Sequence, residues 1–263
     1  MLIDFHTHLD HYSQTEIKSS LDCIKENKII TIACSCNLLS WKKNLLLAKE
    51  VPDLIVPTFG IHPSYIDKSL QKMSEAEIAA ALEEELLKSE IIGEIGMDFF
   101  WEKDVAHKSQ EKVFCTIMDH CNRYKKIAVI HTKGAEKEIL EILKDFPKAK
   151  AVIHWYDGPL SILQKYIDSA SYFTYGAEVL YSKKIQKLLK ATPLELILSE
   201  TDNPSGEVWL GGKDNSPLLI KRVISDIARI KNINYEEAER IIEDNTKKLL
   251  KEYAGNTFTG LKF

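Results

Sequence analysis

Residues 2–8 read Leu2-Ile3-Asp4-Phe5-His6-Thr7-His8, which predicts a short buried strand followed by two histidines. The apolar start is typical of a strand that is covered on both faces of a parallel sheet. His6 and His8 are two residues apart, so in an extended chain their side chains point to the same face. Two neutral imidazoles side by side suit a metal ion, whereas two charged ones would repel each other. This stretch therefore predicts both the first strand of a sheet and part of a metal site.

Seven further apolar runs follow, and helical patterns lie between them. The predicted strands lie at residues 2–5, 29–33, 54–58, 91–95, 127–130, 151–153, 172–174 and 194–198. The predicted helices include residues 16–26, 75–88, 110–125, 136–145, 159–168, 183–190, 217–231 and 235–253. Eight strand–helix units of about 33 residues predict an α/β fold of the (β/α)8 TIM-barrel type. The alternative is a doubly wound open sheet, but the Gly-rich turn that often follows its first strand is absent here.

Composition and charge exclude several classes of protein. An apolar share of 44% and a charged share of 28% exclude a fibre and a wholly disordered chain. Neither a membrane span nor a signal peptide is visible, so we expect no membrane partner. The net charge of −4 argues against a grip on duplex DNA by charge alone, although a local basic cleft stays open. We expect a single domain at residues 1–254 and a loose tail at residues 255–263.

The five cysteines indicate a cytoplasmic protein. Their odd number and the absence of a signal peptide favour a reducing compartment over a disulfide framework. Cys34 and Cys36 could form a metal or redox pair, but Cys115 and Cys121 do not complete a zinc site at the usual spacing. We expect Cys34 and Cys36 to be small buried residues.

Residues that can bind metal ions follow most of the predicted strands, at the end where barrels of this type carry their chemistry. The six candidate metal ligands at these ends are His6, His8, Glu94, His131, His154 and Asp202. Imidazoles and carboxylates without a thiolate suit Zn²⁺, Mn²⁺, Co²⁺ or Ni²⁺, and Mg²⁺ through the carboxylates and water. Six ligands exceed the needs of one tetrahedral ion, but they suffice for two divalent ions that share a carboxylate. We interpret His11, His107 and His120 as ordinary polar residues.

The order and spacing of these motifs resemble the TatD family of metal-dependent deoxyribonucleases, within the amidohydrolase-like barrels. The resemblance runs from His6 to about Tyr253. The matching motifs are Asp4-Phe5-His6-Thr7-His8-Leu9-Asp10, Gly60-Ile61-His62-Pro63, Gly93-Glu94-Ile95-Gly96-Met97-Asp98, the strand ends at His131 and His154, and Glu200-Thr201-Asp202.

The resemblance implies a role for each matching residue. It implies that His6, His8 and Asp202 hold one ion, and that His131 and His154 hold the second. The catalytic residues would be Glu94, which bridges the two ions, and Asp202, which orients or deprotonates the attacking water. His62 would face the substrate phosphate. Members of the family typically hydrolyse phosphodiester bonds in DNA, often as 3′–5′ exonucleases, with Mg²⁺ or another divalent ion.

The chain departs from the family pattern near the expected substrate. Lys133 stands where Arg is usual, which keeps the charge but loses the bidentate fork toward phosphate. Phe99 and Phe100 replace an aromatic pair that commonly includes a Tyr, Asp157 replaces a usual Ser, and the loop 205–213 differs from the typical one. These changes leave the metal ligands in place but weaken the case for a standard DNA substrate.

Basic and aromatic residues near the strand ends fit a single strand or a duplex end of DNA as the partner, because such strands are held by stacking and charge neutralisation. The candidates are Lys42, Lys43, Lys133, Lys183, Lys184, Lys213, Trp41, Trp101, Trp155, Tyr156 and Trp209. The simpler alternative is that Trp155 and Tyr156 pack under a loop and that the lysines are solvated. Two other functions stay open: an amide, ester or lactone hydrolase with the same metals, and a non-catalytic subunit of a larger assembly.

Overall fold

The computed structural model describes residues 1–206, 210–212 and 215–253, and the strands within them run parallel to their neighbours. The strands are β1 Ile3–Thr7, β2 Ile30–Cys34, β3 Ile55–Thr58, β4 Ile91–Gly96, β5 Ile127–His131, β6 Lys150–Ile153, β7 Tyr172–Tyr175 and β8 Ile197–Ser199. They form two arcs, β1-β2-β3 and β4-β5-β6-β7-β8, in which strands adjacent in sequence are adjacent in space. This order is that of a (β/α)8 barrel, because a doubly wound sheet would reverse its order near the middle.

Two junctions bring the arcs together, although ladder pairing is not continuous around the ring. Between β3 and β4 there is a single parallel bridge from Phe59 to Ile92. Between β8 and β1 the contact is made by the hydroxyl of Ser199, which donates to the carbonyl oxygen of Ile3 at 2.6 Å. Just beyond these strands, the amide of Asp202 donates to the carbonyl oxygen of His6 at 3.0 Å. The second junction therefore places Asp202 beside the His6–His8 pair.

Helices connect the strands and cover the outside of the sheet. The described helices of five residues or more are Gln14–Asn27, Leu38–Glu50, Lys68–Lys72, Glu75–Lys88, His107–Tyr124, Glu136–Leu143, Leu160–Asp168, Lys183–Ala191, Leu219–Lys231 and Tyr235–Tyr253. The start of helix Glu75–Lys88 follows from a capping box. The Ser74 hydroxyl accepts the amide proton of Glu77, and the Glu77 carboxylate accepts that of Ser74.

A single apolar core extends along the chain from Leu2 to Leu250. The strand residues are buried on both faces, as the near-continuous apolar runs predict. Because apolar side chains fill the barrel, the polar residues concentrate at the carboxyl ends of the strands, where the core opens into a cavity. The expected tail at 255–263 lies outside the described residues.

Three elements differ from the sequence prediction, and one of them is the five-residue helix Lys68–Lys72, which the predicted set lacks. Residues 194–198 are not one strand, because Leu194–Leu196 forms a 3-10 turn after Pro193 and β8 begins only at Ile197. The helix Leu38–Glu50 is absent from the predicted set. Its leucines Leu39 and Leu46 are 65% and 61% exposed, so apolar residues do not mark one face of this helix.

All five cysteines lie within the described residues as free thiols, and Cys34 and Cys36 are buried as expected. Among the helices that the structure describes, we find no apolar segment long enough to cross a membrane.

Candidate metal centre

Four ligand atoms converge at the junction of β1, β4 and the end of β8. The Nε2 atom of His6 lies 3.2 Å from Nε2 of His8, 3.5 Å from Oε2 of Glu94 and 3.5 Å from Oδ1 of Asp202. The Nε2 atom of His8 lies 3.4 Å from Oε2 of Glu94 and 3.3 Å from Oδ1 of Asp202. Five of the six distances among these atoms thus fall between 3.2 and 3.5 Å.

These distances fit a shared ion. Ligand atoms about 2.0–2.1 Å from a tetrahedrally bound ion lie about 3.3 Å from one another. Two imidazole nitrogens and two carboxylate oxygens are also the donors that divalent transition metals accept. All four side chains are buried or nearly so, and such a cluster of unscreened carboxylates is otherwise costly without a cation. The residues present therefore fit a divalent ion held by His6, His8, Glu94 and Asp202.

A second group faces the other oxygen of the same carboxylate. Oε1 of Glu94 lies 3.0 Å from Nδ1 of His131, 3.8 Å from Nε2 of His154 and 3.7 Å from Nε2 of His62. Glu94 thus directs Oε2 to one cluster and Oε1 to the other, which is the arrangement of a bridging carboxylate. The ring of His154 also stacks on that of His6, with centroids 3.6 Å apart, so the two groups are contiguous.

Each histidine of the second group that we expect to bind metal is oriented by a carboxylate on its far side. Nε2 of His131 lies 2.9 Å from Oδ2 of Asp98, which leaves Nδ1 for the side facing Glu94. Nδ1 of His154 lies 2.7 Å from Oε2 of Glu200, which leaves Nε2 for that side. A carboxylate acceptor of this kind fixes the tautomer of a metal-binding imidazole and raises its basicity.

Asp98 itself is held from both ends. Its Oδ1 accepts backbone N–H groups from Phe100 at 2.9 Å and from Trp101 at 2.6 Å. The side chain of the buried Gln110 accepts the amide proton of Asp98 at 2.7 Å and donates to its carbonyl oxygen at 2.9 Å. The position of the Asp98 carboxylate, and with it the His131 ring, is therefore set by a closed hydrogen-bond network.

The backbone brings these strand ends close enough for the clusters to form. A Cβ atom at Gly96 would lie 2.0 Å from the carbonyl oxygen of His131, and one at Gly60 would lie 2.3 Å from that of Glu94. Gly96 also has a φ of 149°, a value that side chains disfavour. Any larger residue at either position would push β4 away from its neighbours.

Asp4 holds the backbone just before Asp202, the last of the ligands in the sequence. Its carboxylate accepts the amide of Thr201 at 2.9 Å and the hydroxyl of Thr201 at 2.6 Å, directly before Asp202. Burial raises the pKa of Asp4 to about 7, against these hydrogen bonds. Asp4 thus connects the end of β8 to β1. The sequence alone does not indicate this role.

The electrostatics of the cluster divide its imidazoles. Burial lowers the pKa of His62 to about 3 and that of His154 to about 4, so both are neutral at pH 7. Burial also acts to lower the pKa of His131, but hydrogen bonds to Asp98 and Glu94 outweigh it and raise the value to about 9. The metal-free protein therefore holds a proton on His131 that an ion bound there would replace.

The two clusters form the floor of a cavity of about 440 Å³ that is open to solvent. At its wall, Nζ of Lys133 lies 2.9 Å from Oδ2 of Asp157. The same cation lies 5.3 Å from the ring centroid of Trp101 and 5.8 Å from that of Trp155. His11 and Cys36 also line this cavity, and the His11 ring stacks on that of His8. His11, interpreted from the sequence as an ordinary polar residue, is exposed and lies at the edge of this cavity.

Several residues expected at the rim lie elsewhere. Trp41 is buried and donates its indole N–H to Oε2 of Glu85, and Tyr156 is buried with its hydroxyl bonded to the carbonyl oxygen of Pro159. Trp41 therefore does not face the substrate, because its ring completes the apolar core. Tyr156 also packs in the core, which agrees with the alternative that the sequence left open for it. Trp209 and Lys213 lie outside the described residues.

The structure brings all six predicted ligands together and adds two residues that sequence reasoning missed. Asp98 and Glu200 stand inside the matching motifs, but the sequence does not show that they accept from His131 and His154. The available signals were the spacings: Asp98 lies four residues after Glu94, and Glu200 lies two residues before Asp202. Spacing alone does not say which imidazole nitrogen each carboxylate reaches.

The chain matches known proteins over nearly its whole length. The family model described as TatD related DNase matches residues 3–251. An uncharacterized metal-dependent hydrolase of Methanocaldococcus jannaschii is 30% identical over 259 residues, covering 95% of this chain and 96% of the relative. The deoxyribonuclease TATDN3 of Homo sapiens is 25% identical and covers 94% of each chain. The crystal structure of the TatD homologue YJJV of Escherichia coli superposes with a TM-score of 0.80 at 22% identity, covering 94% of this chain and 97% of that one.

Proposed function

This chain belongs to the family of TatD-related DNases and is a metal-dependent hydrolase, and we propose that it hydrolyses phosphodiester bonds of DNA with two divalent ions. The observation that carries the proposal is the split use of Glu94, whose two oxygens face two separate groups of ligand atoms. The proposed substrate is a single strand or a duplex end, cleaved from its 3′ end. We place the protein in the cytoplasm, because its five cysteines are free thiols.

The ions, of Mg²⁺, Mn²⁺ or Zn²⁺ type, would supply a nucleophile at neutral pH and neutralise charge on the attacked phosphate. In the proposal, His6, His8, Glu94 and Asp202 hold one ion. His131, His154 and the second oxygen of Glu94 hold the other.

Asp202 is suited to orient the attacking water and to accept its proton. Burial acts to raise its pKa, but the hydrogen bond from His8 and the charge of that imidazole outweigh burial and lower the value overall. The carboxylate is therefore ionised at neutral pH and can act as a base. It lies at the edge of the cavity, with a side chain 12% exposed, where a water molecule can reach it.

His62 is suited to bind the substrate phosphate, because its tautomer is fixed. Its Nδ1 accepts the backbone N–H of Ser64 at 3.2 Å, and burial keeps the ring neutral by lowering its pKa to about 3. The remaining proton must then lie on Nε2, which points toward Oε1 of Glu94. A protonated Nε2 cannot bind a metal ion, but it can donate to a phosphate oxygen.

Lys133 supplies a positive charge beside the clusters. Its amine lies in the cavity wall and is paired with Asp157 rather than with a metal-binding carboxylate. In the proposal this cation contacts a phosphate oxygen of the bound strand.

The experiment is hydrolysis of a 5′-labelled single strand by protein stripped of metals and then supplied with Mg²⁺, Mn²⁺ or Zn²⁺. We expect activity to depend on the added ion and products to shorten one nucleotide at a time. Asp202→Asn should abolish cleavage, whereas Asp67→Asn, at a helix start where Asn caps equally well, should not. Cleavage that survives chelation would refute the proposal. Metal-dependent turnover of an ester, amide or lactone with no cleavage of DNA would replace it with an acyl hydrolase.

A further inference from the structure

A second cavity adjoins the metal centre and lies outside the two ligand groups. Its volume is about 550 Å³, within the range of small-molecule sites. The two cavities share Trp101, Lys133 and Asp157 in their walls. The Lys133–Asp157 ion pair therefore stands where one cavity passes into the other.

The outer cavity presents aromatic rings to solvent. Phe100 is 63% exposed and Trp101 is 49% exposed, although large aromatic side chains normally bury their surface. Their centroids lie 5.8 Å apart with planes at 73°, so together they form two walls of one corner. The Trp101 centroid is 6.5 Å from that of His131, which places this corner directly beside the second ligand group.

The charges around this corner suit a phosphate-linked ligand. Lys184 lines the outer cavity, and Lys133 stands at its boundary with the inner one. The outer cavity also contains Glu136, whose carboxylate accepts the backbone N–H of Gly134 at 3.1 Å. Exposed aromatic rings and two lysines in the lining of one cavity match the way single strands are held, by base stacking and by neutralisation of the backbone.

We propose that the outer cavity is a subsite for the third nucleotide from the cleaved end, which a dinucleotide lacks, with its base in the corner of Phe100 and Trp101, stacked on one ring and edge-on to the other. In this arrangement Asp157 forms an ion pair with Lys133 until a substrate phosphate displaces it. The ion pair therefore acts as a charge gate between the two cavities. The subsite rests on the proposed function, because it requires a phosphodiester substrate in the metal cavity.

The first test compares a dinucleotide with a pentanucleotide of the same 3′ end. A dinucleotide leaves most of the strand contacts unused, so the ratio of kcat/KM for the longer over the shorter substrate measures the outer contacts. Because one stacked base contributes about tenfold or more to binding, we expect Phe100→Ala to lower this ratio about tenfold. Trp101→Ala should change it in the same direction.

The matched control is Tyr124→Ala, which truncates an aromatic ring that is 44% exposed and lines neither cavity. Tyr124 ends helix His107–Tyr124 just before β5 begins, whereas the cavities lie where the strands end. Its length ratio should equal that of the wild type. A Phe100→Ala protein that is folded by circular dichroism and keeps the wild-type ratio would overturn the subsite. Cleavage of neither substrate with any of the three ions would overturn the subsite together with the proposed function.

The second test addresses the gate. Asp157→Asn keeps the shape of the side chain and removes its charge, so Lys133 is free to meet the phosphate. We expect KM for the pentanucleotide to fall about fivefold, in the range of a partly buried charge contact. A KM that is unchanged or higher would show that Asp157 does not compete with substrate for Lys133.

Discussion

The substitution Asp98→Asn tests the metal centre without touching a metal ligand. In the wild type, Oδ2 of Asp98 accepts a proton from Nε2 of His131 at 2.9 Å, while Oδ1 accepts the backbone N–H groups of Phe100 and Trp101. Asparagine must keep its oxygen on these two amides, since they are donors. Its NH₂ group then faces Nε2 of His131.

The consequence is a change of tautomer. An NH₂ group can only donate to Nε2, so His131 must move its proton to Nδ1, the atom that lies 3.0 Å from Glu94. An Nδ1 that carries a proton offers no lone pair to an ion. Loss of such an orienting carboxylate typically weakens metal binding about 10- to 100-fold, which corresponds to about 1.4–2.7 kcal/mol.

The assay is a titration of metal-free protein with Mn²⁺ or Zn²⁺, followed calorimetrically. We expect one site of wild-type affinity, held by His6, His8 and the carboxylates beside them, and one weakened site. The second value reports on His131 alone, because Asp98 makes no contact with the first group that the structure shows. Circular dichroism confirms that the fold is retained.

Asp67→Asn is the control for the chemical change itself. Asp67 accepts the amides of Ser69 and Leu70 at a helix start and does not line the cavity, and asparagine is an equally good acceptor there. Both sites of the control should bind with wild-type affinity. If Asp98→Asn also binds two ions with unchanged affinity, the assignment of the second site through Nδ1 of His131 is refuted.

Three further predictions concern His131 and Lys133. His131→Ala should reduce metal stoichiometry toward one ion per chain without unfolding the protein, and elemental analysis that still finds two ions would contradict the second site. His131 has a pKa of about 9 in the metal-free protein, so below that pH protons compete with the metal ion for its ring nitrogen. The affinity for the second ion should therefore rise up to about tenfold between pH 7 and pH 8. Titrations at the two pH values measure this, and a pH-independent affinity would count against it. Lys133→Ala should raise KM for DNA about tenfold with metal content unchanged, whereas an unaltered KM would exclude a phosphate contact.

The barrel and its ligand set could be predicted because they rest on simple regularities. Alternation of apolar runs with helical patterns gives the order of elements, and all parallel strands end on the same side. Polar residues placed after those strands, such as His6 and Glu94, must therefore meet. The strand predicted at 194–198 begins too early. Pro193 favours a turn at Leu194–Leu196, and neither hydrophobic periodicity nor composition distinguishes this turn from the start of a strand.

The sequence does not reveal whether a side chain near a strand end points into the core or into the cavity. Trp41 and Trp101 both stand near strand ends, yet one is 1% exposed in the core and the other is 49% exposed at the cavity. Their surroundings come from distant segments, such as Glu85 for Trp41. For the same reason the sequence does not reveal the role of Asp98, because that role depends on which ring nitrogen of His131 the carboxylate contacts.

Asp98 joins the two halves of the site through its two oxygens. Oδ2 fixes the imidazole that faces the bridging Glu94, and Oδ1 holds the turn that carries Phe100 and Trp101. The position of a metal ligand and the position of the aromatic corner are therefore set by one carboxylate. This is why asparagine is the informative replacement, since it keeps the oxygen that holds the turn and alters only the atom that faces His131. An alanine there would release both at once, and a loss of activity could not be assigned to either.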